Sequence, residues 1–146
     1  MPKHSKYFQD VIDFHEKFGI AHHGPPRQSL PLPLRVFRKD RLREEHNEYV
    51  DAFQRSDAEG MLDALVDLVY IAIGTAQCHG WDFDEAWDRV HASNMTKKRI
   101  SPKSTGRYNH RSDIVKPDGW VSPSHADLVG RPETNHCHKD HNPAKE

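Results

Sequence analysis

One segment, residues 61–76, constrains the fold of this chain more than any other feature. It reads MLDALVDLVYIAIGTA, with apolar residues on nearly every side of a helical wheel, which is typical of a helix buried by its neighbours. Asp63 and Asp67 lie in this segment four residues apart, so they share one helical face. Two like charges at that spacing repel, and the burial of an unpaired carboxylate is strongly unfavourable. The segment therefore predicts a central helix whose carboxylates need a nearby cation or raised pKa values.

The chain on either side of this segment also shows helical spacing, and no part shows the sustained alternation that is typical of strands. We expect four to five helices, and four of them have clear limits: residues 5–18, 34–54, 57–79 and 82–95. Ser56 and Glu59 form a capping-box pattern at the start of the third helix, and Gly80 is well placed to end it. The predicted fold class is all-α, an antiparallel helical bundle with short loops.

The second predicted helix combines an apolar stripe with an acidic edge. The stripe consists of Leu42, Tyr49 and Phe53. Glu45 and Glu48 lie beside it, three residues apart, where they can reach the contact with the third helix. This helix offers no cation at the matching position, so antiparallel packing would bring both glutamates together with the two aspartates. Such a cluster is unfavourable when bare and becomes a hard-oxygen site when Mg²⁺ or Mn²⁺ binds.

The charge of the chain is balanced but segregated. The net charge is −1, with 21 Lys and Arg against 22 Asp and Glu, which disfavours a globally basic nucleic-acid binder. Acidic residues concentrate between residues 38 and 88, and basic residues between 97 and 116. An anionic ligand held partly through a metal would explain this segregation, and so would a plain solvated surface.

Two further features concern the setting of the protein. Its two cysteines, Cys78 and Cys137, provide no disulfide framework, so we expect a reducing, cytoplasmic compartment. The longest apolar run, residues 68–76, is shorter than a helix that crosses a bilayer, so no membrane partner is expected.

Four motifs follow one another along the chain. They are Glu45-x-x-Glu48, then Asp63-Ala-Leu-Val-Asp67-Leu-Val-Tyr70, then Val90-His-Ala-Ser-Asn94-Met-Thr-Lys97, and finally Lys116-Pro-Asp-Gly-Trp-Val-Ser-Pro123. In order and spacing they resemble the MazG-like superfamily of all-α nucleoside triphosphate pyrophosphohydrolases. Within it, the chain is similar to the short phage and bacterial branch related to phosphoribosyl-ATP pyrophosphohydrolase. The resemblance covers about residues 8–123.

The second acid pair departs from the family pattern, which is usually Glu-x-x-Asp. Here Ala64 stands three residues before Asp67, and the other acid is Asp63, four residues before it. Asp63 is shorter than a glutamate and rotated on the helix, so we expect it to bind a metal through water. Glu44 is an alternative ligand in its place.

The resemblance implies roles for several residues. The metal ligands would be Glu45, Glu48, Asp63 and Asp67, with Glu45 or Glu48 as the general base. The phosphate-binding residues would be Asn94, Lys97 and Lys116. It further implies dependence on Mg²⁺ (or Mn²⁺), cleavage of a triphosphate between its α and β phosphorus atoms, and a homo-oligomer, either a dimer or a tetramer, with sites near subunit interfaces.

The expected reaction is hydrolysis of a ribo- or deoxyribonucleoside triphosphate to the monophosphate and pyrophosphate. A related viral branch acts on guanine nucleotides, which makes dGTP or GTP a candidate in viral nucleotide metabolism in the host cytoplasm. Damaged nucleotides, dCTP, dATP and dUTP stay open. One rival is a non-enzymatic helical module that binds nucleic acid through the basic segment, although no nucleic acid is expected as a partner of the enzyme. Another is a metal carrier that uses the histidine-rich end.

We expect one domain over residues 1–123, which includes an extended basic arm over residues 97–123. Residues 124–146 are polar and histidine-rich and predict a disordered tail. The tail residues His136, Cys137, His138 and His141 match no common zinc spacing. In the arm, Tyr108 and Trp120 could stack on a base, although aromatic residues at such positions more often pack against the bundle.

Overall fold

The computed structural model describes residues 4–99 and 113–132 of the chain. Its elements are α1 (Lys6–Lys17), α2 (Leu32–Gln54), α3 (Ala58–His79), α4 (Phe83–Met95), β1 (Lys98–Arg99) and β2 (Ile114–Val115). The all-α prediction is confirmed, and the only addition within the described ranges is the short antiparallel pairing of β1 with β2. The predictions for Tyr108 and for the end of the tail, including Cys137 and its neighbouring histidines, lie outside the described residues.

Side-chain caps determine where the helices begin. Asp82 accepts a hydrogen bond at 3.0 Å from the N–H three residues later and begins α4, as the sequence predicted. The cap of α3 is Asp57, which accepts at 2.9 Å from the N–H three residues later, so the prediction of Ser56 was wrong. Ser56 has a φ of 55°, in the left-handed region, whereas a capping residue has an extended backbone. Gly80, with a φ of 70°, ends α3 as expected.

α2 and α3 form the largest helix contact of the bundle. The buried residues of α2 lie seven apart and are Arg38, Glu45 and Ala52. A β-carbon added to Gly74 of α3 would lie 2.6 Å from Arg38 Nη2, and one added to Gly60 would lie 3.2 Å from Ala52 Cβ. The two glycines therefore allow α2 to approach α3 closely at both ends of the contact.

The face of α2 that meets α3 is not the predicted apolar stripe. Leu42 and Tyr49 are half-buried, and Phe53 is 64% exposed. The buried line instead contains an arginine and a glutamate, residue types that are rarely buried, so a hydropathy pattern assigns them to the surface.

α1 crosses α3 and supplies much of the apolar core. Phe8 and Val11 cluster with Ile73 of α3, and three half-buried residues pack around them: Ile12, Tyr70 and Phe83. The face of α1 that carries Phe8 and Val11 therefore packs against α3, whereas Phe18 just after the helix is exposed.

One face of the N-terminal half of α3 is not covered, contrary to the expectation of a helix buried on every side. Leu62 is 64% exposed and Val66 is 56% exposed, and Leu65 and Val69 are exposed as well. By length and composition α3 could also cross a membrane, but its C-terminal half is the buried centre of this bundle. The described chain therefore exposes an apolar strip along one helix.

Residues 124–132, which the sequence assigned to the tail, pack on the bundle. Arg89 of α4 binds both carboxylate oxygens of Asp127, at 2.7 and 2.8 Å, and the carbonyl of Ser124 at 2.9 Å. The carbonyl of Gly130 accepts a hydrogen bond at 3.1 Å from a glutamine of the α1–α2 connection. Residues in this range therefore contact both α4 and the α1–α2 connection.

Candidate active site

Glu45 is a carboxylate buried between α2 and α3, with 2% of the residue exposed. Burial is the largest influence on its pKa and raises it above the ordinary value. The neighbouring charge of Arg41 lowers this pKa, and those of Glu48, Asp67 and Glu44 raise it. Carboxylates from two helices therefore lie close enough to Glu45 to oppose its ionisation.

Arg41 supplies a cation that the sequence analysis did not find. Its Nη2 lies 2.6 Å from Glu45 Oε1, and its Nη1 lies 2.6 Å from Glu44 Oε2. These partners follow Arg41 by four and three residues, which is the spacing of ion pairs on one helix. The expectation that α2 offers no cation was therefore wrong. The spacing is visible in the sequence, but the burial of Glu45 that makes it important is not.

The other predicted metal ligands occupy exposed positions. Glu48 and Asp67 act on Glu45 through their charges, yet each is exposed in the described chain. Asp63 is exposed too, and within the described ranges it is not among the charges that act on Glu45. No three His, Cys, Asp or Glu side chains of those ranges are gathered closely enough to hold a metal ion. The structure thus places Glu48, Asp67 and Glu44 near Glu45. Asp63 lies about one helical turn from Asp67 on α3.

The chemistry of this donor set suits a hard divalent cation. The set consists of carboxylate oxygens, and one guanidinium, that of Arg41, balances only part of their charge. Oxygen ligands with excess negative charge are those that Mg²⁺ and Mn²⁺ prefer. Glu45, Glu48 and Asp67 thus supply oxygen atoms of the type that such an ion prefers, but they are not gathered into a closed site in the described residues.

At the C-terminal end of α4, two lysines of the predicted phosphate-binding set contact one indole ring. Lys97 Nζ lies 5.3 Å from the ring centroid of Trp120, and Lys116 Nζ lies 4.3 Å from it. Trp120 Nε1 donates to the carbonyl of Ser93 at 3.3 Å. Asn94, the third predicted phosphate ligand, has an exposed side chain one residue after Ser93. The structure thus brings Lys97 and Lys116 together, and no ion pair within the described residues links either lysine to the acidic group.

A buried polar cluster one turn further along α3 was not anticipated from the sequence. Arg38 donates to the Ile71 carbonyl at 2.7 Å and to Thr75 Oγ1 at 3.1 Å, with no carboxylate partner in the described part of the chain. His15 Nδ1 lies 2.5 Å from Gln77 Oε1. Burial lowers the pKa of both Arg38 and His15. These contacts tie α1 and α2 to α3 and so determine the register in which the acidic residues meet.

A family model described as phosphoribosyl-ATP pyrophosphohydrolase matches residues 11–94. The match spans all of α2 and α3 with the acidic residues between them, most of α1 and nearly all of α4. It ends at Asn94, before the two lysines that contact Trp120. No curated protein matches the chain.

Proposed function

This chain belongs to the phosphoribosyl-ATP pyrophosphohydrolase family, and from that premise we propose that it hydrolyses a nucleoside triphosphate to the monophosphate and pyrophosphate. Membership supports a nucleotide pyrophosphohydrolase activity in general. The observation that supports the specific reaction is Glu45, a buried carboxylate whose ionisation Glu48 and Asp67 oppose. Such an arrangement destabilises the fold, and perturbed carboxylates of this kind concentrate at functional sites.

Glu48 is the better placed of the two candidate general bases. Glu45 is enclosed and its Oε1 is bound to Arg41, so water has little access to it. Glu48 is exposed one turn further along α2, where it can accept a proton from water that attacks the substrate. Glu45 then acts only as a ligand, whereas Glu48 supplies both a ligand oxygen and the base.

Glu45, Glu48 and Asp67 would hold Mg²⁺ or Mn²⁺, with Asp63 bound through water. A divalent ion at this position neutralises phosphate oxygens and lowers the pKa of bound water. Arg41 has a preparatory role, because its charge lowers the pKa of Glu45 against the effect of burial and so favours the ionised ligand.

Lys97 and Lys116 would bind the phosphates of the substrate, and Asn94 would orient them by hydrogen bonding. None of these side chains distinguishes one nucleobase from another. The candidate substrates therefore remain dGTP or GTP, in a phage-infected host cytoplasm, together with dCTP, dATP and dUTP.

A second copy of the chain would cover the exposed strip of α3. The strip contains Leu62, Leu65, Val66 and Val69, and soluble monomers rarely expose a continuous apolar surface of this kind. A two-fold dimer would bury it, and two dimers could form a tetramer. Light scattering at micromolar concentration tests this part, and a fully active monomer of 16.9 kDa would overturn it.

Pyrophosphate release from a panel of ribo- and deoxyribonucleoside triphosphates, with and without Mg²⁺, tests the reaction. We expect equal amounts of monophosphate and pyrophosphate from at least one nucleotide. Glu48→Gln should reduce the rate by roughly 100-fold or more, because the variant cannot accept a proton. Release of orthophosphate would contradict the proposal. Salt-sensitive DNA binding through the basic arm without any turnover would favour the nucleic-acid-binding rival instead.

A further inference from the structure

The chain that follows α4 contacts that helix at two points, and a strand pair within the arm turns it back toward them. The backbone of Lys98 pairs with that of Val115, which returns the arm to the end of the helix. The indole of Trp120 donates to a carbonyl of α4 at 3.3 Å. Beyond it, Arg89 binds both carboxylate oxygens of Asp127. Trp120 therefore occupies a defined position between two other attachments.

Two ammonium groups converge on this ring although like charges repel. Lys97 Nζ and Lys116 Nζ lie 5.3 and 4.3 Å from the same ring centroid, and neither forms an ion pair with a carboxylate in the described residues. The negative face of an indole attracts cations and offsets part of the repulsion. Each ammonium group has three N–H donors, and contact with the ring does not occupy all of them. Both lysines therefore keep donors for an anion.

An open groove of about 670 Å³ adjoins the ring. Trp120, Ser93, Thr96 and Pro117 are among the residues that line it. Ser93 Oγ is buried and has no hydrogen-bond partner within the described ranges. Buried hydroxyl groups are normally paired, so this one is an exception beside the ring.

We propose that Trp120 is a positioning residue that presents Lys97 and Lys116 together to the phosphates of the bound nucleotide. This inference rests on the proposed function, because it names the element that organises the phosphate-binding part of that site. Free lysine side chains lose much conformational freedom when they bind an anion. Contact with the ring confines both side chains beforehand, so less freedom remains to be lost when phosphate binds.

Binding of inorganic pyrophosphate in the presence of Mg²⁺, measured by titration calorimetry, tests the inference directly. Trp120→Leu should weaken binding roughly tenfold, and Trp120→Phe, which keeps a smaller aromatic face, by roughly two- to threefold. Trp87→Leu is the matched control on α4, and its affinity should stay unchanged. Equal affinity of Trp120→Leu and the wild type would overturn the inference, and so would equal losses in Trp120→Leu and Trp87→Leu.

Two further readouts separate positioning from a general structural effect. In the turnover assay, Trp120→Leu should raise KM roughly tenfold and change kcat by less than about twofold. Lys116→Gln should weaken pyrophosphate binding less in the Trp120→Phe background than in the wild type, since the ring and the lysine act together. Circular dichroism monitors folding. If Trp120→Leu is not helical, the comparison of Lys116→Gln in the wild-type and Trp120→Phe backgrounds decides alone. Equal losses of pyrophosphate affinity in the two backgrounds would overturn the inference.

This experiment distinguishes the two proposals because pyrophosphate binding needs no turnover. A chain that binds pyrophosphate through Trp120 but hydrolyses no nucleotide contradicts the proposed reaction and supports the inference. A chain that hydrolyses nucleotides with equal KM in Trp120→Leu and the wild type supports the reaction and contradicts the inference. Failure of the wild type to bind pyrophosphate contradicts the inference as well.

Discussion

Arg38 of α2 lies directly against the bare Cα of Gly74 in α3. A β-carbon at position 74 would come 2.6 Å from Arg38 Nη2 and 3.1 Å from His15 Nε2. Three helices therefore meet where one of them has no side chain. Seven residues away along each partner helix, the same register places Glu45 near Asp67. The glycine contact and the acidic site are two parts of one helix interface.

Gly74→Ala should destabilise the protein by about 1–3 kcal/mol. Alanine favours a helix by about 1 kcal/mol over glycine, but here the guanidinium it meets is buried and hydrogen-bonded, so it cannot move away without loss. Urea unfolding measures the change. In an Arg38→Met background the same substitution should cost less than half as much, and equal costs in both backgrounds would show that the contact is not the cause.

Glu45→Gln should stabilise the metal-free protein at neutral pH while it abolishes turnover. The folded pKa of Glu45 is raised, so its ionised form destabilises the fold as the pH rises through that pKa, and neutral glutamine removes this effect. We expect roughly 1 kcal/mol, or about 3 °C in Tm. Arg41 keeps Glu44 as a partner in the variant. A lower Tm in metal-free buffer would show that the Arg41–Glu45 ion pair outweighs the burial.

Asp67→Asn should reduce pyrophosphate release by roughly 100-fold or more while the helical signal persists, because an exposed ligand loses its charge at almost constant volume. Asp63→Asn is the matched control one turn earlier. Its loss should be roughly tenfold, since Asp63 is not among the described charges that act on Glu45. Equal losses in the two variants would return Asp63 to the centre of the site, and near-normal activity of Asp67→Asn would remove Asp67 from it.

His15 should make the protein less stable in mild acid. Burial lowers its pKa below 6.5, the charge of Arg38 lowers it further, and the hydrogen bond with Gln77 partly opposes this. The folded state therefore keeps His15 neutral, while the unfolded chain takes up a proton below about pH 6.5. The contribution of neutral His15 to stability is fully present above that pH. It is lost as the pH falls toward the lowered pKa of His15 in the folded state.

Urea unfolding between about pH 5 and pH 8 measures this dependence. His79, whose pKa is also lowered by burial, contributes in the same direction, so His15→Asn should flatten the slope without abolishing it. Exposed His91→Asn is the control and should leave the slope unchanged. A wild-type slope in His15→Asn would assign the acid sensitivity to other groups.

Because Arg89 binds Asp127, removal of residues 124–132 should weaken substrate binding. The hydrogen bonds from Arg89 lower the pKa of Asp127 to about 2. The ion pair therefore stays charged at every pH above the ordinary pKa of an aspartate. A chain that ends after residue 132 should keep its KM. A chain that ends after residue 123 should show a raised KM, because the arm loses an attachment to α4. Equal KM values would show that the strand pairing and the indole hydrogen bond are sufficient.

Helix positions and the acidic motif were predictable because both depend on local spacing. The cap at Asp82, the stop at Gly80 and the acids of α2 and α3 are relations among residues a few positions apart, which a helix of known geometry converts into faces and ends. Ser56 shows the limit of such signals. Its backbone is left-handed in the loop, so the neighbouring Asp57 caps α3 instead.

Which side chains are buried depends on the neighbouring helices, and no local pattern contains that information. The apolar Phe53 is exposed whereas Arg38 and Glu45 are buried, because glycines on α3 admit α2 along a line that hydropathy would assign to solvent. The same holds for Lys97 and Lys116, which are 19 positions apart in the chain and meet only through Trp120. Local sequence thus determined the helices and supplied the charged groups, and packing decided which of those groups are desolvated and which of them meet.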